Sequence, residues 1–282
     1  MPTQHTPLSE QQARETLTID VDKIIAAKAK GAKVPRFIVN YLKRTIHQDD
    51  INDFIVLERN RHGIDFADDI IQKFKATVDV YGFDNVPAEG RFIFASNHPM
   101  GGLDGMAFIS AVGKKFQNLK FPVNDMLLFL KNFSDIFLPV NKTGVTGRKA
   151  ALLMDEAFQS DNQMLMFPAG LCSRKQKGGI IDLEWKKTFV TKAIETKRDI
   201  IPVYITGRNS NFFYNLARFR KAIGLKFNIE MLYLPDEMYK QEGKHIDLIF
   251  GQPISWQSLD AKKAKDEAQR IKDIVYALAP KE

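Results

Sequence analysis

Cysteine is almost missing from this chain: Cys172 stands alone among 282 residues. An internal disulfide is therefore excluded, no cysteine cluster has zinc spacing, and a reducing compartment is expected. Histidine is scarce too, five in all, and no two stand at i and i+4, so no metal site is expected. Long apolar runs are lacking. No window approaches the roughly 18–20 consecutive apolar residues of a spanning helix, so any membrane contact is made from the surface. The first residues, MPTQHTPLSEQQ, carry neither the basic stretch nor the apolar core of a secretory signal, which argues for a cytoplasmic location. No internal repeat or low-complexity segment interrupts the chain.

What is present is enough hydrophobic material, 44% of residues, to bury a large core. The formal charge of +7 favours a polyanionic partner, which an anionic bilayer, a nucleic acid or a phosphate-bearing cofactor would each satisfy. Composition does not choose among them.

Periodicity divides the chain at about residue 75. Residues 1–75 read as a polar helical segment, with helices over Asp20–Ala32, Val34–His47, Asp49–Glu58 and Ile64–Ala76. In the second, Val34, Phe37, Ile38, Tyr41, Leu42 and Ile46 share one face and Arg36, Lys43 and Arg44 lie on the other. That pattern suits a helix lying in a membrane interface, while packing on the main domain is the commoner use of such a helix. Residues 76–282 alternate short apolar strands with helices. The expected fold class is α/β, a mostly parallel sheet flanked by helices with an N-terminal helical segment. Strands are expected at Thr77–Tyr81, Arg91–Ser96, Phe121–Val123, Ile136–Val140, Met164–Phe167, Ile200–Thr206, Lys226–Leu234 and Ile246–Gly251. Helices are expected at Gly105–Val112, Asp125–Lys131, Arg148–Phe158, Glu184–Lys197, Asn211–Ile223 and Ala261–Ala279. Pro202 inside its strand implies an edge or a bulge.

Chemistry concentrates in FIFASNHPMGGLDG, Phe92–Gly105. An apolar strand delivers Asn97 and His98 to a turn containing Pro99, Gly101 and Gly102, which bends back to Asp104. A carboxylate held against an imidazole fixes its tautomer and stabilises the imidazolium, so the pair can take a proton from a hydroxyl. The same residues could instead cap the following helix. Other strand ends carry polar groups suited to a phosphate or an oxyanion: Asn141 and Lys142, with Arg148 opening the next helix; Pro168, Gly170, Ser173, Arg174 and Lys175; and Arg208 with Asn209. A parallel sheet would bring these ends to one rim beside His98. Cys172 has basic neighbours that could ionise a thiol, but a lone cysteine is more often a small buried apolar residue.

NHPMGGLDG, then the strand leading to Lys142 and Arg148, then FPAGLCSR and IIPVYITGRN, resemble in order the motif set of the glycerolipid acyltransferases related to lysophosphatidic acid acyltransferase. The resemblance spans about Thr77–Gly251. It implies His98 and Asp104 as the catalytic pair and an acceptor-phosphate block around Lys142 and Arg148. Asn97, Gly101, Gly102, Phe167, Pro168, Gly170, Ser173, Arg174 and Arg208 are then expected to line the substrate site. Five residues separate His98 from Asp104 where family members usually have four, and Ala169 stands where they have glutamate. Both features resemble the branch that includes hemolysin-like proteins and the acyltransferases of ornithine and glycine lipids.

The resemblance implies O-acyl transfer from an acyl thioester, on acyl carrier protein or coenzyme A, to the hydroxyl of a monoacylated lipid, either a lyso amino-acid lipid or lysophosphatidate. No cofactor is expected beyond that donor, and no nucleic-acid partner. The expected partners are the membrane lipid acceptor and an anionic membrane surface on the cytoplasmic face, docked through the N-terminal segment. A thioesterase or lipid hydrolase, or a non-catalytic peripheral membrane protein on the same scaffold, stays open as an alternative.

Overall fold

The computed structural model describes residues 7–28, 34–124, 127–140 and 144–280. Five helices come first: α1 (Glu10–Thr16), α2 (Val21–Lys28), α3 (Arg36–Thr45), α4 (Gln48–Leu57) and α5 (Gly63–Lys73). Ser9 and Gln12 start α1 as a capping box, each side chain accepting from the other's backbone N–H at 3.2 and 2.9 Å. On α5, Phe66, Ala67 and Ile70 are buried, followed by Phe74; they share one continuous core with Phe94 and Phe108 of the sheet domain. The N-terminal helices are thus packed onto the body by hydrophobic burial.

The remainder runs β1 (Thr77–Tyr81), β2 (Phe92–Ser96), α6 (Leu103–Gly113), β3 (Leu119–Val123), β4 (Phe137–Pro139), α7 (Gly144–Gln159), β5 (Gln163–Met166), β6 (Arg174–Gln176), β7 (Gly179–Ile181), α8 (Thr188–Thr196), β8 (Asp199–Ile205), α9 (Asn211–Ala222), α10 (Leu234–Tyr239), β9 (His245–Phe250) and α11 (Ala264–Ala277). Seven strands form one sheet in the order β1-β9-β8-β2-β5-β3-β4, parallel at every pairing except β8 with β9. β6 and β7 make a separate antiparallel hairpin. All five residues of β2 are buried, because the sheet is covered on both faces. Phe92 and Phe94 point into a core shared with α5 and α6, Ile93 and Ala95 into one shared with α8 and α11. α6 is buried along its whole length, as an all-round apolar helix must be. At the C-terminal end of α7, buried Arg198 donates to the carbonyls of Phe158 and Asn162 at 2.9 and 2.7 Å and to that of Ser160, supplying donors that the helix end lacks.

The expected fold class is what the structure has. Pro202 sits at a bulge: from Ile200 to Val203 β8 advances three residues, while its antiparallel neighbour spans four, from Phe250 to Ile254. Two local expectations are corrected. Lys226–Leu234 is not a strand but a turn followed by a 3-10 segment, Ile229–Tyr233, that runs into α10. The cause is Glu230, buried between Arg174 and Arg220, whose ion pairs fix this segment more strongly than β-propensity could. Asp125–Lys131 is not one helix: 125–126 lie outside the described residues, and the rest forms short 3-10 turns at Leu127–Phe129 and Lys131–Phe133.

Candidate active site

Because β8, β2, β5, β3 and β4 run parallel, their C-terminal ends share one rim. Asn97 and His98 follow β2, Phe167–Gly170 follow β5 and Arg208 follows β8. His98 Nδ1 and Asp104 Oδ2 are 2.9 Å apart. The histidine side chain is 17% exposed and the carboxylate fully buried. Phe167 stacks on the imidazole, ring centroids 3.8 Å apart, and fixes its plane. Among the described residues nothing hydrogen-bonds His98 Nε2.

The turn between the two residues closes around the carboxylate. Asp104 Oδ2 accepts from the N–H groups of Met100 (2.8 Å) and Gly101 (3.1 Å), and Oδ1 from those of Gly102 and Gly105 (2.9 Å each). Gly101 has φ +83°, and a Cβ there would also come within 2.8 Å of Leu234; at Gly102 it would come within 2.5 Å of Met238. Burial pushes the Asp104 carboxyl up, but His98 and these N–H donors outweigh it and hold the group below the usual carboxylate range. Its negative charge is thus secured at neutral pH.

Behind the pair lies a polar network that sequence reasoning missed. Asp182, just after β7, accepts through Oδ1 from the His98 N–H (3.2 Å) and Ser173 Oγ (2.6 Å), and through Oδ2 from Trp185 Nε1 (2.9 Å). Burial pushes its carboxyl above the ordinary range, against those hydrogen bonds. Lys272 and Tyr276 of α11 hold its backbone, the ammonium donating to the carbonyl and the hydroxyl accepting the N–H, both at 2.7 Å. The one local signal is the Asp182 carboxylate set directly after the apolar pair Ile180 and Ile181, which says the group is partnered but not by whom.

The structure redistributes the remaining expected residues. Asn97 is buried and braces β2 to β8, its amide pairing with the carbonyl and N–H of Ile205 at 2.9 and 2.7 Å. Ser173 is buried on Asp182. Arg174, expected at the substrate site, is nearly buried: its guanidinium pairs with Glu230 at 3.1 Å, donates to the Cys172 carbonyl at 2.6 Å and covers the Phe213 ring. The N–H groups of Gly101 and Gly102 are taken by Asp104 and cannot serve an oxyanion. Pro168 and Ala169 are buried, and Gly170 turns the chain at φ +69°. Arg208 is exposed, donating to Asn211 at 2.7 Å, and Arg148 is exposed near the start of α7. Lys142, with Asn141, lies outside the described residues. Elsewhere Asp79, His245 and Asp247 bring ligand atoms within 4.8 Å of one another, with His245 Nε2 hydrogen-bonded to Asp247 at 2.9 Å and 3.2 Å from Asp79.

Cys172 is fully buried, burial pushes its thiol up to about 11, and Arg174 Nη1 donates to its sulfur at 3.0 Å. It is protonated and enclosed at neutral pH, which removes it as a nucleophile. Cys172→Ala is expected to keep acyl transfer within about twofold of wild type and to cost about 1 kcal/mol in urea unfolding for the lost packing. Loss of turnover with an unchanged unfolding midpoint would reinstate the thiol.

A part-exposed histidine with one ring nitrogen on a buried carboxylate, at the C-terminal rim of an α/β sheet, is an arrangement chemically able to exchange a proton with a hydroxyl. The chain belongs to the acyltransferase family, whose model matches residues 23–279, and within it to the glycerolipid acyltransferase superfamily. It is an acyltransferase. It is 49% identical to a lyso-glycine lipid O-acyltransferase of Bacteroides thetaiotaomicron, over 92% of this chain and 97% of that one. A protein of the same name from Phocaeicola vulgatus is 48% identical, over 92% and 95%. The crystal structure of the 1-acyl-sn-glycerophosphate acyltransferase PlsC from Thermotoga maritima shares the fold, with a TM-score of 0.52 at 16% identity over 97% of this chain and 99% of that one.

Proposed function

We propose that the enzyme transfers an acyl chain from an acyl thioester to the free hydroxyl of a monoacylated glycine lipid, with His98 as general base. The observation that carries the mechanism is the 2.9 Å contact of His98 with Asp104, which leaves Nε2 at the rim. The acceptor hydroxyl gives its proton to Nε2 as its oxygen attacks the thioester carbonyl. The tetrahedral intermediate collapses with cleavage of the C–S bond, and the imidazolium returns the proton to the leaving thiolate, so an ester and a free thiol result. Asp104 stabilises the imidazolium in between. With the N–H groups of Gly101 and Gly102 consumed, we assign the oxyanion to N–H groups of the turn after Gly170. Arg148 and Arg208, both exposed, are the described cations we assign to the donor's phosphates or the acceptor's carboxylate. Acyl carrier protein and coenzyme A both fit that donor role.

The acceptor reading rests on the two lyso-glycine lipid relatives and on Ala169, buried in the second core, where relatives acting on lysophosphatidate usually carry glutamate. A competition assay with lyso-glycine lipid, lysophosphatidate and one labelled acyl thioester tests it. Tenfold or greater preference for the glycine lipid, equivalent to about 1.4 kcal/mol, is expected. Preference for lysophosphatidate would overturn the acceptor, and fatty acid release indifferent to both would make the protein a hydrolase.

No described helix is long and apolar enough to cross a membrane. We assign membrane docking to α3, on which Phe37 is 73% exposed and Ile38 and Tyr41 are also exposed while Val39 packs inward. Arg44 is exposed beside them, whereas Arg36 and Lys43 pair with Asp22. Such a helix rests its rings in the headgroup layer of the cytoplasmic face.

A further inference from the structure

α9 is apolar on two separate faces. Inward, Phe213, Tyr214 and Ala217 are buried, the first two clustering with Cys172, whose Cβ lies against Gly101 of the His98–Asp104 turn. Outward, Phe212, Phe219 and Ile223 are exposed and, with half-buried Leu216, recur at steps of four, three and four, a helical stripe with no core to cover it. The stripe continues past the helix, where Leu225 is exposed and Phe227 is 62% exposed. A water-facing surface gains nothing from five large apolar side chains placed together.

Two observations identify what covers them. The first is charge: residues 200–229 contain no aspartate or glutamate but five cations, Arg208, Arg218, Arg220, Lys221 and Lys226. Glu230 pairs with Arg220, while Arg218, Lys221 and Lys226 are exposed with no carboxylate partner among the described residues. The second is continuity with α3. Tyr233 meets Tyr41 of α3 hydroxyl to hydroxyl at 2.7 Å and Phe212 of α9 ring to ring at 5.0 Å, so the exposed residues of the two helices belong to one surface. Protruding rings beside unpaired cations on two helices match the apolar and anionic layers of a lipid headgroup region. An acidic carrier protein would call for a cation-lined groove instead.

We propose that α9 and residues 223–227 form a second membrane-seating element that inserts in an anionic bilayer alongside α3, holding the His98 turn one side-chain layer from the lipid. This rests on the reading of the enzyme as one that takes its acceptor from a membrane. The test is flotation of the full chain with vesicles of phosphatidylcholine and phosphatidylglycerol, paired with acylation of a detergent-dispersed lyso-glycine lipid. Phe219→Ser/Phe227→Ser is expected to lose about tenfold or more in vesicle partition, given the apolar area removed, and to keep its rate on the dispersed lipid. Lys221→Gln/Lys226→Gln, which alters no packed side chain, is expected to leave vesicles at lower salt than wild type. If both variants float as wild type does while Phe37→Ser/Ile38→Ser does not, α9 is no membrane element and the docking role of α3 survives. If the wild type itself fails to float, both fall. Intact flotation with a rate lost only toward an acyl-carrier-protein donor would make α9 a protein-docking face and overturn the proposal.

Discussion

His98→Ala is expected to lower acyl transfer by about 10²- to 10⁴-fold, the usual worth of a general base, with folding preserved. The ring stacks on Phe167 and makes one side-chain hydrogen bond, to Asp104, so its removal subtracts little from the core. Asp104 keeps four backbone donors after the imidazole has gone and is not left as an unpaired buried charge. Stability should therefore fall by only about 1–2 kcal/mol, consistent with a part-exposed ring. Single-turnover transfer measured alongside a urea unfolding curve separates the two effects. Transfer at the wild-type rate by a folded His98→Ala protein would remove the histidine from the chemistry.

Asp104→Asn is expected to damage folding as well as catalysis, although it changes one atom. The carboxylate accepts from the His98 ring and from the N–H groups of Met100, Gly101, Gly102 and Gly105. An amide has one oxygen, so its NH2 must face either the pair formed by Gly102 and Gly105 or the trio on Oδ2. At least two buried donors lose their acceptor, at about 1–3 kcal/mol each. Any folded fraction would still orient the imidazole but without the charge that stabilises the imidazolium, so its rate should also drop by roughly 10² or more.

The pH dependence carries a definite sign. Asp104 is held below its ordinary value in the folded protein, so the stability it contributes is complete above about pH 4, where the unfolded carboxyl ionises, and disappears as pH falls through the lowered folded pKa. The difference in unfolding midpoint between wild type and Asp104→Asn should be full at neutral pH and shrink toward strongly acid pH. Equal midpoints at neutral pH would mean that the donor cage does not stabilise the turn.

The central strands and the catalytic turn could be read from the chain because their signals are local. FIFAS is a short apolar run, the two glycines and proline after it permit one kind of path, and Asp104 falls where that path returns. Thr77–Tyr81 was legible to the residue for the same reason. The parallel rim also followed from strand-helix alternation, since a helix that crosses back over the sheet returns the next strand in the same direction. What distance along the chain conceals is the identity of partners. Arg174 looked like a phosphate ligand because its neighbours in sequence are polar, yet Glu230, 56 residues on, claims its charge. Asp182 drew no functional reading from its own surroundings, yet it holds the His98 backbone from 84 residues away. Gly101 and Gly102 are expected from the sequence to line the substrate site, and only the closure of the arch shows their N–H groups turned onto Asp104. Hydrophobic periodicity placed α9 as a helix but could not say that its apolar residues split between two faces, because one face is assigned to the core only when something packs against it. Local backbone preference and apolar spacing are written residue by residue. Charge pairing, burial and exposure are properties of pairs and surfaces that come into being when distant segments meet.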